Sequence, residues 1–254
     1  MVLTKEIQDF NVLGVPVYAG DMNDVIDRIT GWIENRETHY VCAADTNSIV
    51  TAQDNPAHMK ALNQAAIVTP DGMPLAILGR FFGKPSISRV SGPDLLPALA
   101  KHSVGYGWGH YFYGGADGVV EELSSRLKEQ NPGLRVAGLE TPPFRPATYS
   151  ERRQTIEAIK ASGAKIIWVG LGCPKQEAWM CDIAEEIPGT VMIGVGAAFD
   201  FHSGKIKRAP AWMQTSGLEW LHRFAQEPRR LWKRYLINLP YFALAVAKQS
   251  LHRQ

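Results

Sequence analysis

Seven short apolar runs, separated by segments with the period of a helix, constrain this chain more than any other feature. The runs span residues 12–17, 40–44, 66–69, 110–113, 134–139, 165–169 and 191–195. Each is strand-length and apolar enough to be buried on both faces. Segment 24–34 follows Asp21, a residue able to cap it, and sets Val25, Ile26, Ile29, Trp32 and Ile33 along one stripe. Segments 119–128 and 150–161 read the same way. Strands alternating with helices of about 10–15 residues predict a parallel sheet with crossover helices. A chain of 254 residues that is 45% hydrophobic can bury a large core, and no repeat or low-complexity linker interrupts it. Pro142-Pro143-Phe144-Arg145-Pro146 reads as a loop.

After about Lys205 the strand pattern stops and short helices are expected. The net charge of +2 conceals an asymmetry at this point. Residues 205–254 hold ten Lys/Arg against Glu219 and Glu227, a balance of +8, whereas residues 1–204 carry −6. A basic tail on an acidic body implies an anionic partner, membrane or nucleic acid. Pro228 is placed to start a helix. On a wheel of about 100° per residue, Arg229, Arg230, Lys233 and Arg234 share one side, and Leu231, Trp232, Tyr235 and Leu236 the other. Ile237 is the exception, and the pattern is that of an interfacial helix. That separation favours a lipid surface over nucleic acid. The longest nearly uncharged stretch, 236–247, is 12 residues with Pro240 inside it, short of the ~20 needed to span a bilayer. The three cysteines, Cys42, Cys173 and Cys181, form no CxxC pair, and the opening MVLTKEIQDF lacks a signal-peptide pattern. A reduced, cytoplasmic setting is expected, with the protein peripheral on the inner face of the membrane. The expected architecture is α/β: a Rossmann-like parallel-sheet core over residues 1–204 and a helical, basic, membrane-binding appendage over 205–254.

Open parallel sheets bind ligands beyond the carboxyl ends of their strands. Four strand ends run into glycine, polar or charged residues: Ala43-Ala44-Asp45-Thr46-Asn47, Thr69-Pro70-Asp71-Gly72-Met73-Pro74, Gly170-Leu171-Gly172-Cys173-Pro174-Lys175-Gln176-Glu177 and Gly194-Val195-Gly196-Ala197-Ala198-Phe199-Asp200-Phe201. Asp71, between a proline and a glycine, is either a turn residue capping the next helix or a fixed carboxylate able to take a proton from a hydroxyl. The glycine turns let backbone approach a phosphate at a helix N-terminus. Lys175 is open to two readings, phosphate contact or solvation, and Phe199 to two, base stacking or core. There is no DxD motif, no HExxH or other tight spacing among the seven histidines, and no GxSxG. A departing diphosphate would then be neutralised by Arg89, Arg208, Arg223, Arg229, Arg230 and Arg234 or by helix ends, without a metal.

Taken together, these segments resemble the WecG/TagA/CpsF family, glycosyltransferase family 26, from Asn11 to about Leu236. The resemblance is carried by Thr46-Asn47, Thr69 to Pro74, Arg89-Val90-Ser91-Gly92-Pro93-Asp94-Leu95 and Phe112-Tyr113-Gly114-Gly115. It continues through Gly170 to Glu177 with Trp179, Gly194 to Asp200, Arg208-Ala209-Pro210, Gly217-Leu218-Glu219-Trp220-Leu221 and Glu227-Pro228-Arg229-Arg230-Leu231. It implies an inverting, metal-independent enzyme that moves N-acetylmannosamine, its uronic acid or glucose from UDP onto an undecaprenyl-diphosphate-linked sugar. It implies Asp71 as catalytic base with Thr46, Asn47, Arg89 and Gln176 beside it. UDP is expected on Gly170, Gly172, Pro174, Lys175, Gln176, Glu177, Gly194, Gly196, Phe199 and Asp200. Arg208, Arg223, Arg229, Arg230, Arg234 and Trp232 are expected to close the site and touch the membrane. The expected partners are a UDP-sugar, a lipid-diphosphate-linked acceptor and an anionic membrane surface, with neither cofactor, metal nor nucleic acid. A homo-oligomer is allowed, because a body that bares apolar surface when its tail moves can self-associate. The rival reading is a non-catalytic nucleotide- or nucleic-acid-binding module with a basic tail. An epimerase is disfavoured by the absence of GxGxxG and YxxxK.

Overall fold

A computed structural model describes residues 9–251; residues 1–8 of the opening segment, together with His252, Arg253 and Gln254, lie outside the described residues. The first apolar run is a hairpin, not one strand: β1 (Phe10–Val12) and β2 (Val15–Val17) pair antiparallel. Leu13 and Gly14, with φ of 50° and 89°, make the two-residue turn between them. The other six runs form one parallel sheet: β3 (His39–Ala44), β4 (Ile67–Pro70), β5 (Gly109–Gly114), β6 (Arg135–Glu140), β7 (Ile166–Gly170) and β8 (Val191–Gly194). Their order across the sheet is β4-β3-β8-β7-β5-β6. All the pairs are parallel, so every strand delivers its carboxyl end to the same edge.

Local chemistry starts the helices where the residues announce them. Asp21 caps α1 (Met22–Glu34) in a reciprocal capping box with Asp24, and Thr148 does the same for α7 (Tyr149–Ser162) with Glu151. Asp45 caps α2 (Thr46–Asp54), and Asn55 caps α3 (Pro56–Gln64), which has proline in its first turn. The remaining helices of the sheet layers are α4 (Met73–Phe81), α5 (Gly92–Ser103), α6 (Val119–Gln130), α8 (Lys175–Ile183) and α9 (Ala198–His202).

Side chains alternate across the strands into two cores. Tyr40, Cys42, Ile167, Val169 and Met192 join α2, α3, α7, α8 and the hairpin on one face. Val41, Ile166, Trp168 and Ile193 join α1, α5, α6 and α9 on the other. The second core is stitched by a buried polar chain. Trp168 Nε1 donates to His110 Nδ1 at 2.8 Å, which leaves His110 Nε2 to donate to Ser103 Oγ at 2.7 Å. Ser103 Oγ in turn donates to Ala100 O at 2.7 Å. Burial lowers the His110 pKa to about 4, so the ring is neutral and structural.

Beyond Lys205 come α10 (Ala211–Thr215), α11 (Glu219–Gln226), α12 (Pro228–Lys233), a wide π turn at Arg234–Asn238 and α13 (Leu239–Leu251). The expected helices are there, but α13 does not stand apart from the core. Phe242 and Val246 are buried with residues of α2 and the hairpin, and the Gln249 side chain accepts from Leu13 N at 3.1 Å and donates to Asn11 O at 3.1 Å. No helix among the described residues is long and apolar enough to cross a membrane.

Two glycines hold β5 and β7 at their carboxyl ends. Gly114 has φ of 134°, and a Cβ there would lie 2.6 Å from the Gly170 backbone. Gly114→Ala therefore combines backbone strain with overpacking and lowers Tm by roughly 6–15 °C, read by thermal denaturation. A melting point unchanged within 2 °C contradicts this packing.

Candidate active site

The carboxyl ends of the strands open into a cleft of about 1300 Å³, roofed by α11, α12 and the π turn. Asp71 stands at the end of β4, where its N–H donates to Ala44 O at 2.9 Å and fixes it to β3. Its Oδ1 accepts from Gly92 N at 3.2 Å. Gly92 is pressed against the turn after β8, since a Cβ there would meet Val195 O at 2.8 Å. Asp71 is thus linked through one glycine to the turn at 194–196. The carboxylate and both glycine turns line the same cleft.

The Asp71 pKa is raised to about 6, by burial first and then by the neighbouring Asp45, against the opposing pull of Arg89, Arg234 and the Gly92 N–H. The result is an ionised carboxylate at neutral pH that is more basic than an exposed aspartate. Asp45 is itself paired with Arg234 of the π turn, 189 residues away in sequence. Thr46 and Asn47 open α2 at the cleft wall, and Asn47 Oδ1 accepts from Asn238 Nδ2 at 2.8 Å.

Arg89 Nε donates to Asp71 O at 2.8 Å, so it grips the backbone of Asp71 and not its carboxylate. Its Nη2 pairs with Glu219 at 2.7 Å and lies 3.9 Å from Asp94. Arg208 completes the group, with Nη1 2.6 Å from Asp94 and Nε 2.9 Å from Glu219. Two arginines and two carboxylates therefore tie α11 and the segment before α10 to the Asp71 loop and the start of α5. Arg208 is occupied in this lattice and does not line the cleft.

The turn after β7 is organised by Gln176. Its Oε1 accepts from Gly172 N at 3.2 Å and Gly196 N at 3.0 Å, so one amide staples the two glycine turns together. Gly170, Gly172, Lys175, Gln176, Gly196 and Asp200 line the cleft as the motifs implied. Pro174, Glu177, Gly194 and Phe199 do not. Glu177 is 0% exposed and turns inward, where Oε1 accepts from Gln176 Nε2 at 2.9 Å. Phe199 is 1% exposed and fills the space left by Gly170, whose added Cβ would sit 2.6 Å from the ring. Gly194 serves packing too: a Cβ there would meet Met180 at 2.8 Å. Glu177, Phe199 and Gly194 hold the turns from behind, because the strand-end pattern cannot distinguish the face toward the cleft from the face toward the core.

Of the C-terminal basic residues, Lys205, Arg223, Arg230, Lys233 and Arg234 line the cleft. Arg223 lies over the Phe201 ring at 5.0 Å, and its buried Nε has no hydrogen-bond partner. Burial lowers its pKa, as do the adjacent Arg234 and Arg230, while the pairing to Glu227 is long, at 3.9 Å. This is weakly compensated positive charge in the wall of the cleft. Arg229 is exposed and Trp232 is 43% exposed, and neither lines the cleft. The wheel's basic face thus turns partly inward. Leu231 is buried, and Tyr235 packs on Trp220 and Phe224 with centroids 5.3 and 5.9 Å apart.

Several lining residues carried no mark in the sequence. Asp45 stood inside a quoted motif without being singled out, and its role emerges only from Arg234. Glu219 and Asp94 act through partners 130 and 114 residues distant. The proline loop lines the cleft with Phe144 and Arg145, the latter paired to Glu151 at 2.6 Å. A model of the Glycosyl transferase WecG/TagA/CpsF family matches residues 10–254. The N-acetylglucosaminyldiphosphoundecaprenol N-acetyl-beta-D-mannosaminyltransferase of Bacillus spizizenii is 31% identical over 236 residues, covering 89% of this chain and 89% of the relative. The cleft with its fixed carboxylate and its facing arginines is therefore that of an enzyme, and the chain belongs to the WecG/TagA/CpsF family of glycosyl transferases.

Proposed function

We propose that this glycosyltransferase moves an N-acetylmannosamine-type sugar from UDP onto a sugar carried on undecaprenyl diphosphate, with inversion and without a divalent metal. The uronic acid and glucose donors remain the alternatives within the same reading. The observation that carries it is Asp71, held on the backbone by β3, Arg89 and Gly92 in the cleft that the arginines of α11, α12 and the π turn enclose. The relative's name supports the mannosaminyl group and the lipid-diphosphate acceptor.

In this mechanism UDP lies along the stapled glycine turns, with its diphosphate toward Arg223, Arg230 and Lys233. Asp71 takes the proton of the acceptor hydroxyl as that oxygen attacks the anomeric carbon. The bond from that carbon to UDP breaks in the same displacement, which reverses the configuration. The negative charge gathering on the leaving diphosphate is met by the Arg223 guanidinium, whose Nε has no hydrogen-bond partner, with Arg230 and Lys233 beside it, the office a metal ion fills elsewhere. Arg89 acts as a positioning residue, because its Nε and Nη2 are engaged by Asp71 O and Glu219.

The acceptor's lipid requires the enzyme to meet a membrane. The outer side of the C-terminal helices bares Trp232, Leu236, Ile237, Tyr241 and Leu244, which are 43%, 62%, 50%, 50% and 66% exposed. With Arg229 and Lys248 nearby in sequence, this stripe suits an anionic lipid surface on the cytoplasmic side.

Asp71→Asn should lower kcat by about 10²–10⁴ in an assay of UDP-sugars with synthetic lipid-diphosphate acceptors. In the parent, kcat/KM falls about tenfold per pH unit below about 6 as Asp71 takes up its proton, and EDTA leaves the rate intact. Near-normal turnover in the variant, or loss of activity in EDTA, overturns the mechanism. The same residue has a stability signature. Its folded pKa lies above its unfolded value, so the fold prefers the protonated form, and that preference is lost as pH rises from about 4 to 6. At pH 8 Asp71→Asn is therefore more stable by about 1–3 kcal/mol, seen as a higher Tm, and the gap closes near pH 4. A variant that melts lower than the parent at pH 8 refutes this. Trp232→Ala with Leu236→Ala should reduce sedimentation with phosphatidylglycerol vesicles without altering Tm, whereas removing residues 228–254 would also strip Phe242 and Val246 from the core. Undiminished sedimentation of the double variant removes this stripe from the membrane contact.

A further inference from the structure

Behind the glycine turn lies a cluster that the transfer mechanism does not use. His58 of α3 is 1% exposed and Glu177 of α8 is 0% exposed. His58 Nε2 lies 3.0 Å from Ser48 Oγ and 3.5 Å from Cys173 Sγ. On the other side of the ring, Nδ1 lies 4.0 Å from Glu177 Oε2, and both of these buried atoms have no hydrogen-bond partner. One ligand atom from each of His58, Cys173 and Glu177 falls within 4.8 Å of the other two.

We propose that His58, Cys173 and Glu177 form a binding site for a soft divalent cation of the zinc class, separate from the transfer chemistry. The donor set is the first reason. Imidazole, thiolate and carboxylate together select zinc or cobalt and are poor ligands for magnesium or calcium. Spacing is the second. Tetrahedral zinc holds nitrogen and sulfur ligands about 3.5 Å apart, given bonds near 2.0 and 2.3 Å. His58 Nε2 lies at that separation from Cys173 Sγ but also meets Ser48 Oγ, and Glu177 Oε2 lies beside the free Nδ1, so the three groups, each offering an atom within 4.8 Å of the others, close on one ion by rotation of the His58 ring and the Glu177 side chain. Charge is the third. A dication with one thiolate and one carboxylate is neutral overall, which suits a place where two polar atoms are otherwise left without partners. Binding releases the thiol proton, and the carboxyl proton where Glu177 holds one, to solvent.

Access is through the cleft. Cys173 lies in its wall, whereas His58 and Glu177 do not line it, so a cation entering past Cys173 would be held one layer beneath the nucleotide turn. The residues come from positions 58, 173 and 177 on two helices and a loop, which explains why no histidine spacing in the sequence announces them. None of the three is Asp71 or an arginine of the cleft, so the cation site and the metal-free transfer stand or fall separately.

The test is direct binding to the untagged full chain after chelator treatment and buffer exchange. Cobalt(II) should bind one to one, with a thiolate-to-cobalt charge-transfer band in the near ultraviolet and the visible bands of a four-coordinate ion. Zinc(II) should displace it. Cys173→Ser should abolish the charge-transfer band and weaken binding at least tenfold while keeping Tm within a few degrees. His58→Phe should weaken binding to the same degree, and where that variant fails to fold the serine variant carries the test alone. Absence of one-to-one binding by the parent, or a charge-transfer band that survives in Cys173→Ser, overturns the proposal.

Discussion

The four-membered lattice of Arg89, Arg208, Asp94 and Glu219 is the interaction on which the geometry of the cleft depends. The other contacts that shape Asp71 come from Ala44 at the end of β3, from Gly92 at the start of α5 and from the charges of Asp45 and Arg234. This one brings in a carboxylate from α11 and an arginine from the segment before α10, and so fixes the roof relative to the floor that carries Asp71. Each guanidinium meets both carboxylates, so removing any one member leaves charge of the opposite sign partly buried and short of a partner. Such networks are worth more intact than their pairs suggest and cost more when broken. The arginine that would otherwise reach for Asp71's carboxylate is diverted to its carbonyl, and the carboxylate keeps its basicity.

A second balance runs across the cleft. Asp45 beside Asp71 would be costly as a bare pair of like charges, and Arg234 offsets it by pairing with Asp45. That engagement leaves Arg223 with only the distant Glu227 and the repulsion of Arg230 and Arg234. One wall of the cleft is thereby supplied with acid and the opposite wall with excess cation. A neutral hydroxyl and an anionic diphosphate are different enough for the two walls to sort them.

Much of this architecture was legible because it is local. Caps such as Asp21 and Asn55, the proline starting α12 and the alternation of Val41 and Cys42 are written within a few residues of where they act. The strand-end motifs located the cleft for the same reason. What the sequence concealed is orientation and distance. In Gly170 to Glu177 all the residues but Pro174 and Glu177 line the cleft, so Lys175 faces outward and Glu177 inward although both are charged. Phe199 offers no local hint that its ring fills the gap at Gly170. Residues 12–17 looked like one strand because Leu13-Gly14 is apolar and flexible at once, and only the positive φ of both residues reveals the reversal. Arg234 with Asp45, and His58 with Glu177, join elements far apart in the chain, where no periodicity operates.

The seating of α13 has a mechanical consequence. Because Phe242, Val246 and Gln249 clamp the far end onto the hairpin and α2, while Arg208 clamps the near end onto α5, the intervening stretch is a bridge and not a flap. A flap swings about one hinge and can leave the surface altogether. A bridge anchored at both abutments can only bow or flatten at midspan, and the wide turn at Arg234–Asn238 is where its regular winding is already loosened.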